Sequence, residues 1–295
     1  VGGAEPGGGA TVTWRELWAD TARAVGDRVR ARWLCEVASG ADDGDDFLAG
    51  LDDRATERMV HHLDAMLARL RGGEPLQYVL GRWGFRRLDL MVDARVLIPR
   101  PETELVVEVA LDLVASMGAP LRIVDLGTGS GAIGLALATE LPRDAAEVWL
   151  TDVSEDALDV ARANLAGTGR AGTGVRLARG WWFDALPADL AGTFDLVVGN
   201  PPYVPDGDAR VETVVREWEP HGALYAGPDG LDHLATILAG APRWLRPGGC
   251  LVVEIGAGQG AAVAALADSA GLVDVVVHPD LTGHDRVVQA KRAAT

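Results

Sequence analysis

From Leu121 to the C-terminal end this sequence alternates short apolar runs with helical stretches, and that rhythm restricts the fold more than any other feature. Leu121-Arg-Ile-Val-Asp-Leu126 reads as a buried strand, and Ile133, Leu135 and Leu137 mark the helix after it. Val148-Trp-Leu150 is a second strand ending at Asp152, with a helix from Ser154 to Leu165. Val175 to Ala178 is the third strand and Phe194 to Val198 the fourth. A helix from Leu231 to Leu245 stops at Arg-Pro-Gly-Gly, and Cys250 to Ile255 is the fifth strand. A helix from Gly260 to Asp268 leads into Val273 to Val277, and Arg286 to Ala290 adds a short last strand. Strands separated by helices join as crossovers rather than hairpins, so the pattern predicts an α/β class with a mostly parallel, doubly wound, Rossmann-like sheet. Ligands in such sheets bind outside the carboxyl ends of the strands.

Three strand ends carry residues with chemical content. The first strand runs into Asp125-Leu126-Gly127-Thr128-Gly129-Ser130-Gly131, a turn whose glycines let a ligand approach the backbone closely. Gly129, Gly131 and Gly134 also fit the dinucleotide pattern G-x-G-x-x-G, which keeps a nicotinamide enzyme open. The additional Gly127 and the preceding Asp125 argue against it. Asp152, at the end of the second strand, suits the hydroxyls of a ribose in either cofactor class, or else caps the next helix. After the third strand comes Gly180-Trp181-Trp182-Phe183-Asp184, where one aromatic ring belongs to the core and another can flank an adenine. The fourth strand ends in Asn200-Pro201-Pro202-Tyr203. Two prolines lock φ, remove two donors and end any ladder, so the strand delivers an amide, rigid carbonyls and an aromatic ring to one spot.

Upstream, apolar residues at helical spacing run from Trp14 to Val37, split at Gly26-Asp27. Ser39 to Asp46 reads as an acidic loop, and a further helix carries Met59, Leu63, Met66 and Leu70 before Gly72-Gly73. Alternation between Arg82 and Ile98 suggests a hairpin turning at Asp93-Ala94 or an extended connector. Pro99-Arg100-Pro101 then stiffens the chain ahead of Glu102 and Glu104, which fall in a helix's first turn, and the segment reads equally as a stiff, polar helix entry or as part of the site's lining. These readings divide the chain into a disordered tail (1–10), a helical substrate-recognition domain (11–72), a hairpin or linker (73–100) and the α/β domain (101–295).

A net charge of −16, from 43 acidic against 27 basic residues, disfavours direct nucleic-acid binding, which needs a basic footprint. It suits a basic protein partner. No apolar run is long enough for a membrane span, and the Gly-rich first residues lack the layout of a signal peptide, so a cytoplasmic protein is expected. Cys35 and Cys250 lie in apolar contexts and read as buried thiols rather than a disulfide or metal pair. His61 and His62 have no ligand-spaced partners, and no metal site is expected.

Asp125-Leu-Gly-Thr-Gly-Ser-Gly131, Asp152 and Asn200-Pro-Pro-Tyr203 resemble S-adenosylmethionine-dependent methyltransferases acting on planar amide or amino nitrogens. With Gly73-Glu-Pro-Leu-Gln-Tyr78, Phe85, Leu97-Ile-Pro-Arg-Pro-Glu-Thr-Glu104, Trp182-Phe183, Trp218-Glu219-Pro220 and Asp285-Arg286-Val287-Val288, the chain resembles the PrmC/HemK family of protein-(glutamine-N5) methyltransferases. The resemblance implies a class I methyltransferase sheet and S-adenosyl-L-methionine as cofactor. It implies as substrate the Gly-Gly-Gln glutamine of class I peptide chain release factors, met by a monomer. Gly127, Thr128, Gly129, Ser130 and Gly131 would then wrap the methionine part, Asp152 hold the ribose and Trp182 lie at the adenine. Asn200, Pro201, Pro202 and Tyr203 would receive the glutamine, with Asn200 also beside the cofactor. Trp181 stands where that family has a small or acidic residue, and the helical region agrees in pattern more than in residues. An adenine-N6 DNA methyltransferase is the nearest alternative, because an exocyclic amine presents the same planar NH₂. A non-catalytic scaffold would need neither the glycine turn nor Asn-Pro-Pro-Tyr.

Overall fold

The computed structural model describes residues 12–294, and the chain divides between Gly81 and Arg82 into two compact units. The tail expected over residues 1–10 lies outside the described residues.

The first unit is helical: α1 (Trp14–Val25), α2 (Arg28–Ser39), α3 (Gly44–Ala49), α4 (Glu57–Arg71) and α5 (Leu76–Leu80). Thr13 and Glu16 form a reciprocal capping box on α1, Gly26 ends it in the left-handed region, and Asp27 caps α2 through the Val29 and Arg30 N–H groups. The break expected at Gly26-Asp27 is thus a stop signal followed at once by a start signal. α3 falls partly on the stretch expected to be a loop. Asp43 accepts from the N–H groups of Asp45 and Asp46, so the acidic run is a helix start. Leu34, Phe47, Leu63, Met66 and Val79 form the core of this unit. Because α5 contributes Leu76 and Val79 to that core, the unit ends at Gly81 rather than at Gly72.

The second unit opens with a hairpin of β1 (Arg82–Phe85) and β2 (Leu88–Met91), turning at Arg86-Arg87 and not at Asp93-Ala94. Arg86 has φ 51°, a turn conformation usually given to glycine or asparagine. Its backbone N–H donates to Glu104 Oε1 at 2.8 Å and its guanidinium pairs with Glu140, so tertiary contacts hold a turn that lacks local turn residues. A 3-10 turn over Pro101–Thr103 then leads into α6 (Glu104–Val114).

The main sheet follows: β3 (Leu121–Leu126), α7 (Ala132–Glu140), β4 (Ala146–Asp152), α8 (Glu155–Gly167), β5 (Val175–Arg179) and β6 (Phe194–Gly199). Then come α9 (Thr213–Trp218), α10 (Asp232–Trp244), β7 (Leu245–Glu254), α11 (Gly260–Ser269), β8 (Leu272–Pro279) and β9 (Asp285–Arg292). The strand order in this seven-stranded sheet is β5-β4-β3-β6-β7-β9-β8. β5 to β7 pair in parallel, while β9 is antiparallel to both β7 and β8. β7 begins earlier than the apolar run suggests. Leu245 pairs with Phe194 and Cys250 with Leu196, so Arg246–Gly249 is accommodated as an irregularity.

β6 is buried throughout, and its side chains divide by the period of two. Leu196 and Val198 join the core beneath α6 and α7 and Val197 the core beneath α10 and α11; Phe194 also joins the latter, out of the alternation, where the register against β7 slips between Phe194 and Leu196. Each such fully buried aliphatic side chain contributes about 1.5–3 kcal/mol. Helices on both faces make this a doubly wound α/β sheet. The direction of winding reverses between β3 and β6, and the crevice opens above their carboxyl ends.

Candidate active site

The loop after β3 is shaped by Asp125, a carboxylate only 1% exposed. Its Oδ2 accepts from the Thr128 hydroxyl at 2.6 Å and from the Gly134 N–H at 2.9 Å, folding the loop back onto the start of α7. Among the described residues its Oδ1 is buried without a partner, and burial pushes the group up to about 6. Gly127 has φ 69°, and a Cβ there would meet Trp182 Cζ3 at 3.0 Å, so only glycine fits this turn against that ring. At the end of β4, Asp152 Oδ2 accepts from the Gly129 N–H at 3.0 Å and Oδ1 from the Ser154 N–H at 2.9 Å. Burial, its largest influence, raises the pKa of Asp152. The carboxylate therefore braces the glycine loop and holds the backbone of Ser154, whose side chain caps α8, and it also borders the cleft.

Trp182 has φ 47°, an uncommon conformation for a bulky residue of the kind found at functional sites. Trp181, 47% exposed, Trp182 and His233 of α10 group their rings with centroids 5.3–5.5 Å apart. All three line a cleft of about 350 Å³ with Gly127, Thr128, Gly129, Ser130, Asp152, Asn200 and Pro202. Gly131 does not line it. It caps α7 with φ 88° and packs toward Leu135 and Ala161.

β6 brings Asn200-Pro201-Pro202-Tyr203 to the same place. Gly199 makes this approach possible, because a Cβ there would lie 2.7 Å from the Leu126 carbonyl oxygen of β3. A second pocket of about 440 Å³ lies beyond, lined by Pro201, Tyr203, Arg100, Val211, Val215 and Leu224. Asn200, Pro202, Leu97 and Ala223 border both spaces, so Asn200 stands in the wall between cleft and pocket.

Polar contacts fix that wall. Buried Glu219 accepts from the Ile98 N–H at 3.2 Å and pairs with Arg100, clamping the Pro-Arg-Pro segment beside the pocket. Gln259 Nε2 donates to the Tyr203 carbonyl at 3.0 Å. The Tyr203 hydroxyl donates to Glu254 Oε1 at 3.0 Å, and the Thr103 hydroxyl to Glu254 Oε2 at 2.6 Å. Asn200 Nδ2 in turn donates to Thr103 Oγ1 at 3.3 Å. Of the helix-entry residues, Thr103 lines the cleft, while Glu104 turns to the Arg86 backbone.

Residues 108–218 match the family model of the methyltransferase small domain, and residues 21–81 match that of the PrmC N-terminal domain. A release factor glutamine methyltransferase from Xylella fastidiosa is 46% identical over 223 residues, 76% of this chain and 78% of that protein. A protein of the same name from Cereibacter sphaeroides is 40% identical over 290 residues, 94% of this chain and 99% of that protein. The chain belongs to the release factor glutamine methyltransferase family. A crystal structure of a methyltransferase from Pyrococcus furiosus shares the fold at 17% identity, with a TM-score of 0.51 over 78% of this chain and 99% of that one.

The chain is thus a methyltransferase of this family, and S-adenosylmethionine is its methyl donor. The cleft suits that group: a glycine backbone that tolerates close approach, a carboxylate at the second strand end, and aromatic rings on one wall. The aromatic Trp181, at the position where the resemblance has a small or acidic residue, adds its ring to that wall. Reasoning from sequence gave Glu219, His233 and Glu254 no role in the site, and it left the segment that holds Thr103 open between a helix entry and a lining of the site. For Glu254 a signal existed, since it is the one charged residue in the apolar run Cys250-Leu-Val-Val-Glu-Ile255, where a charge in a buried strand needs a reason. Among the described residues, no helix is long and apolar enough to cross a membrane.

Proposed function

We propose that this chain methylates the side-chain amide nitrogen (N5) of the glutamine in the Gly-Gly-Gln motif of class I peptide chain release factors. The observation that carries this reading is the position of Asn200, in a wall shared by the cofactor cleft and a second pocket open to a substrate. In this reading Gly127 to Gly131 form the loop around the methionine part, with Gly131 setting the turn from behind. Asp152 retains lone pairs for the ribose hydroxyls, and Trp182 lies along the adenine. The glutamine enters from the side of Pro201 and Tyr203, working in a cytoplasmic monomer without direct nucleic-acid contact. The acidic balance of −16 supports a protein substrate over DNA.

When bound, S-adenosylmethionine supplies a methyl group on a sulfonium, so placing the acceptor matters more than activating a leaving group. A carboxamide nitrogen is a weak nucleophile because its lone pair is delocalised. Asn200 Oδ1 and the Pro201 carbonyl accept from the substrate NH₂ and favour the positive charge that develops on nitrogen. Tyr203, its hydroxyl tied to Glu254, offers a fixed ring face to the flat amide. Transfer would form the nitrogen–methyl bond at the expense of the donor's sulfur–methyl bond, and the surplus amide proton would leave to solvent. Asn200→Ala should lower kcat by about a hundredfold or more while cofactor affinity stays near wild type. Turnover close to wild type in that variant would remove the amide clamp from the mechanism.

A further inference from the structure

Thr103 sits where a threonine ordinarily caps a helix through its hydroxyl, at the position just before α6. It makes no side-chain cap. Its hydroxyl is instead committed to Glu254, at 2.6 Å in a site where both residues are buried. In its ionised form Glu254 can only accept, so in that form the single hydrogen of Thr103 points to Glu254 and its remaining lone pairs point outward. Only a donor can face them. That requirement decides the Asn200 amide: its NH₂ turns inward to Thr103, at 3.3 Å, and its carbonyl Oδ1 lies on the opposite side.

We propose that Thr103 and Glu254 are positioning residues for methyl transfer: the chain Glu254, Thr103, Asn200 orients the Asn200 amide so that Oδ1 faces the acceptor nitrogen. The inference rests on the reading of Asn200 as the acceptor of the substrate NH₂. Without the relay the two ends of the amide are nearly equal in shape, and the flipped form would present a donor to the substrate's own donors. Glu254 also holds the Tyr203 hydroxyl, so one buried carboxylate at the end of β7 steadies both ends of the Asn-Pro-Pro-Tyr turn. β7 is hydrogen-bonded beside β6, with Val253 opposite Gly199, which places this carboxylate beside Asn200 without a loop between them.

The test compares Thr103→Val, which keeps the shape and removes the hydroxyl, with Thr103→Ser, which keeps the hydroxyl and removes a methyl group. Each is assayed at saturating release factor and cofactor, and cofactor affinity is measured by calorimetry. Asn200→Ala serves as the reference. Thr103→Val is expected to lose about ten- to a hundredfold in kcat with cofactor affinity within about threefold, and Thr103→Ser to recover most of that loss. A Thr103→Val enzyme with wild-type kcat overturns the relay, and so does an equal loss in Val and Ser. If Asn200→Ala itself retains turnover, the acceptor role of Asn200 has failed. If Asn200→Ala is inactive while Thr103→Val is fully active, the relay alone has failed.

Discussion

Glu254 is 1% exposed at the end of β7, and its carboxyl is pushed up to about 7, chiefly by burial. Hydrogen bonds from Thr103 and Tyr203 and the charge of Arg286 oppose that rise, and Glu102 adds to it. In the unfolded chain the group returns toward its ordinary 4.5. Between these values the folded protein keeps a proton that the unfolded chain has lost. The associated stability is therefore fully present below the unfolded pKa and is lost as pH rises through the folded one, a change of roughly 3 kcal/mol. Glu254→Gln has no such titration. Denaturant melts of both proteins across this window should show wild type losing about that much stability relative to the Gln variant. A difference that stays constant with pH would contradict a buried, titrating Glu254. The sequence showed Asn200 and its prolines directly, because they are contiguous and their backbone consequences are local. It hid the partner of Asn200, since Thr103 is 97 positions away, and Glu254, which holds Thr103, is 151 positions from it.

At the scale of elements, the strands and long helices were legible because burial on one or both faces leaves a period that the sequence must carry. Two pieces were not. α3 has only six residues and looks like an acidic loop, because its aspartates serve its own N-terminus. The β1–β2 turn has no glycine or asparagine; Arg86 is held in its left-handed conformation by Glu104 and Glu140, contacts invisible to local pattern. The Pro99-Arg100-Pro101 segment is another element fixed from a distance. Its clamp, Glu219, has a side chain 2% exposed that binds the Ile98 N–H and Arg100 together. Glu219→Ala leaves a backbone donor and a partly buried guanidinium without their acceptor, and should cost about 3 kcal/mol of stability. Because Arg100, which Glu219 holds directly, lines the second pocket, KM for the release factor should rise more than KM for the cofactor in steady-state assays. Equal changes in both would detach this segment from substrate binding.

At the scale of the whole molecule, the order β5-β4-β3-β6-β7-β9-β8 sets β3 and β6 side by side and makes the glycine loop and Asn-Pro-Pro-Tyr neighbours. The alternation of strands and helices forecast the doubly wound sheet. It did not reveal that β9 runs antiparallel between β7 and β8, since a strand's direction leaves no mark on its own composition. The division at Gly81 was also hidden, because α5 is short and its membership follows from packing by Leu76 and Val79. The central claim is that this architecture presents one protein glutamine to one methyl donor. Incubation of the purified chain with S-adenosylmethionine, a class I release factor and duplex DNA, followed by fragment-ion mass spectrometry of the Gly-Gly-Gln peptide and nucleoside analysis of the DNA, tests it most directly. A single methyl group on the glutamine side chain, with unmodified DNA, is the expected result; an unmodified glutamine beside methylated adenine would contradict the account.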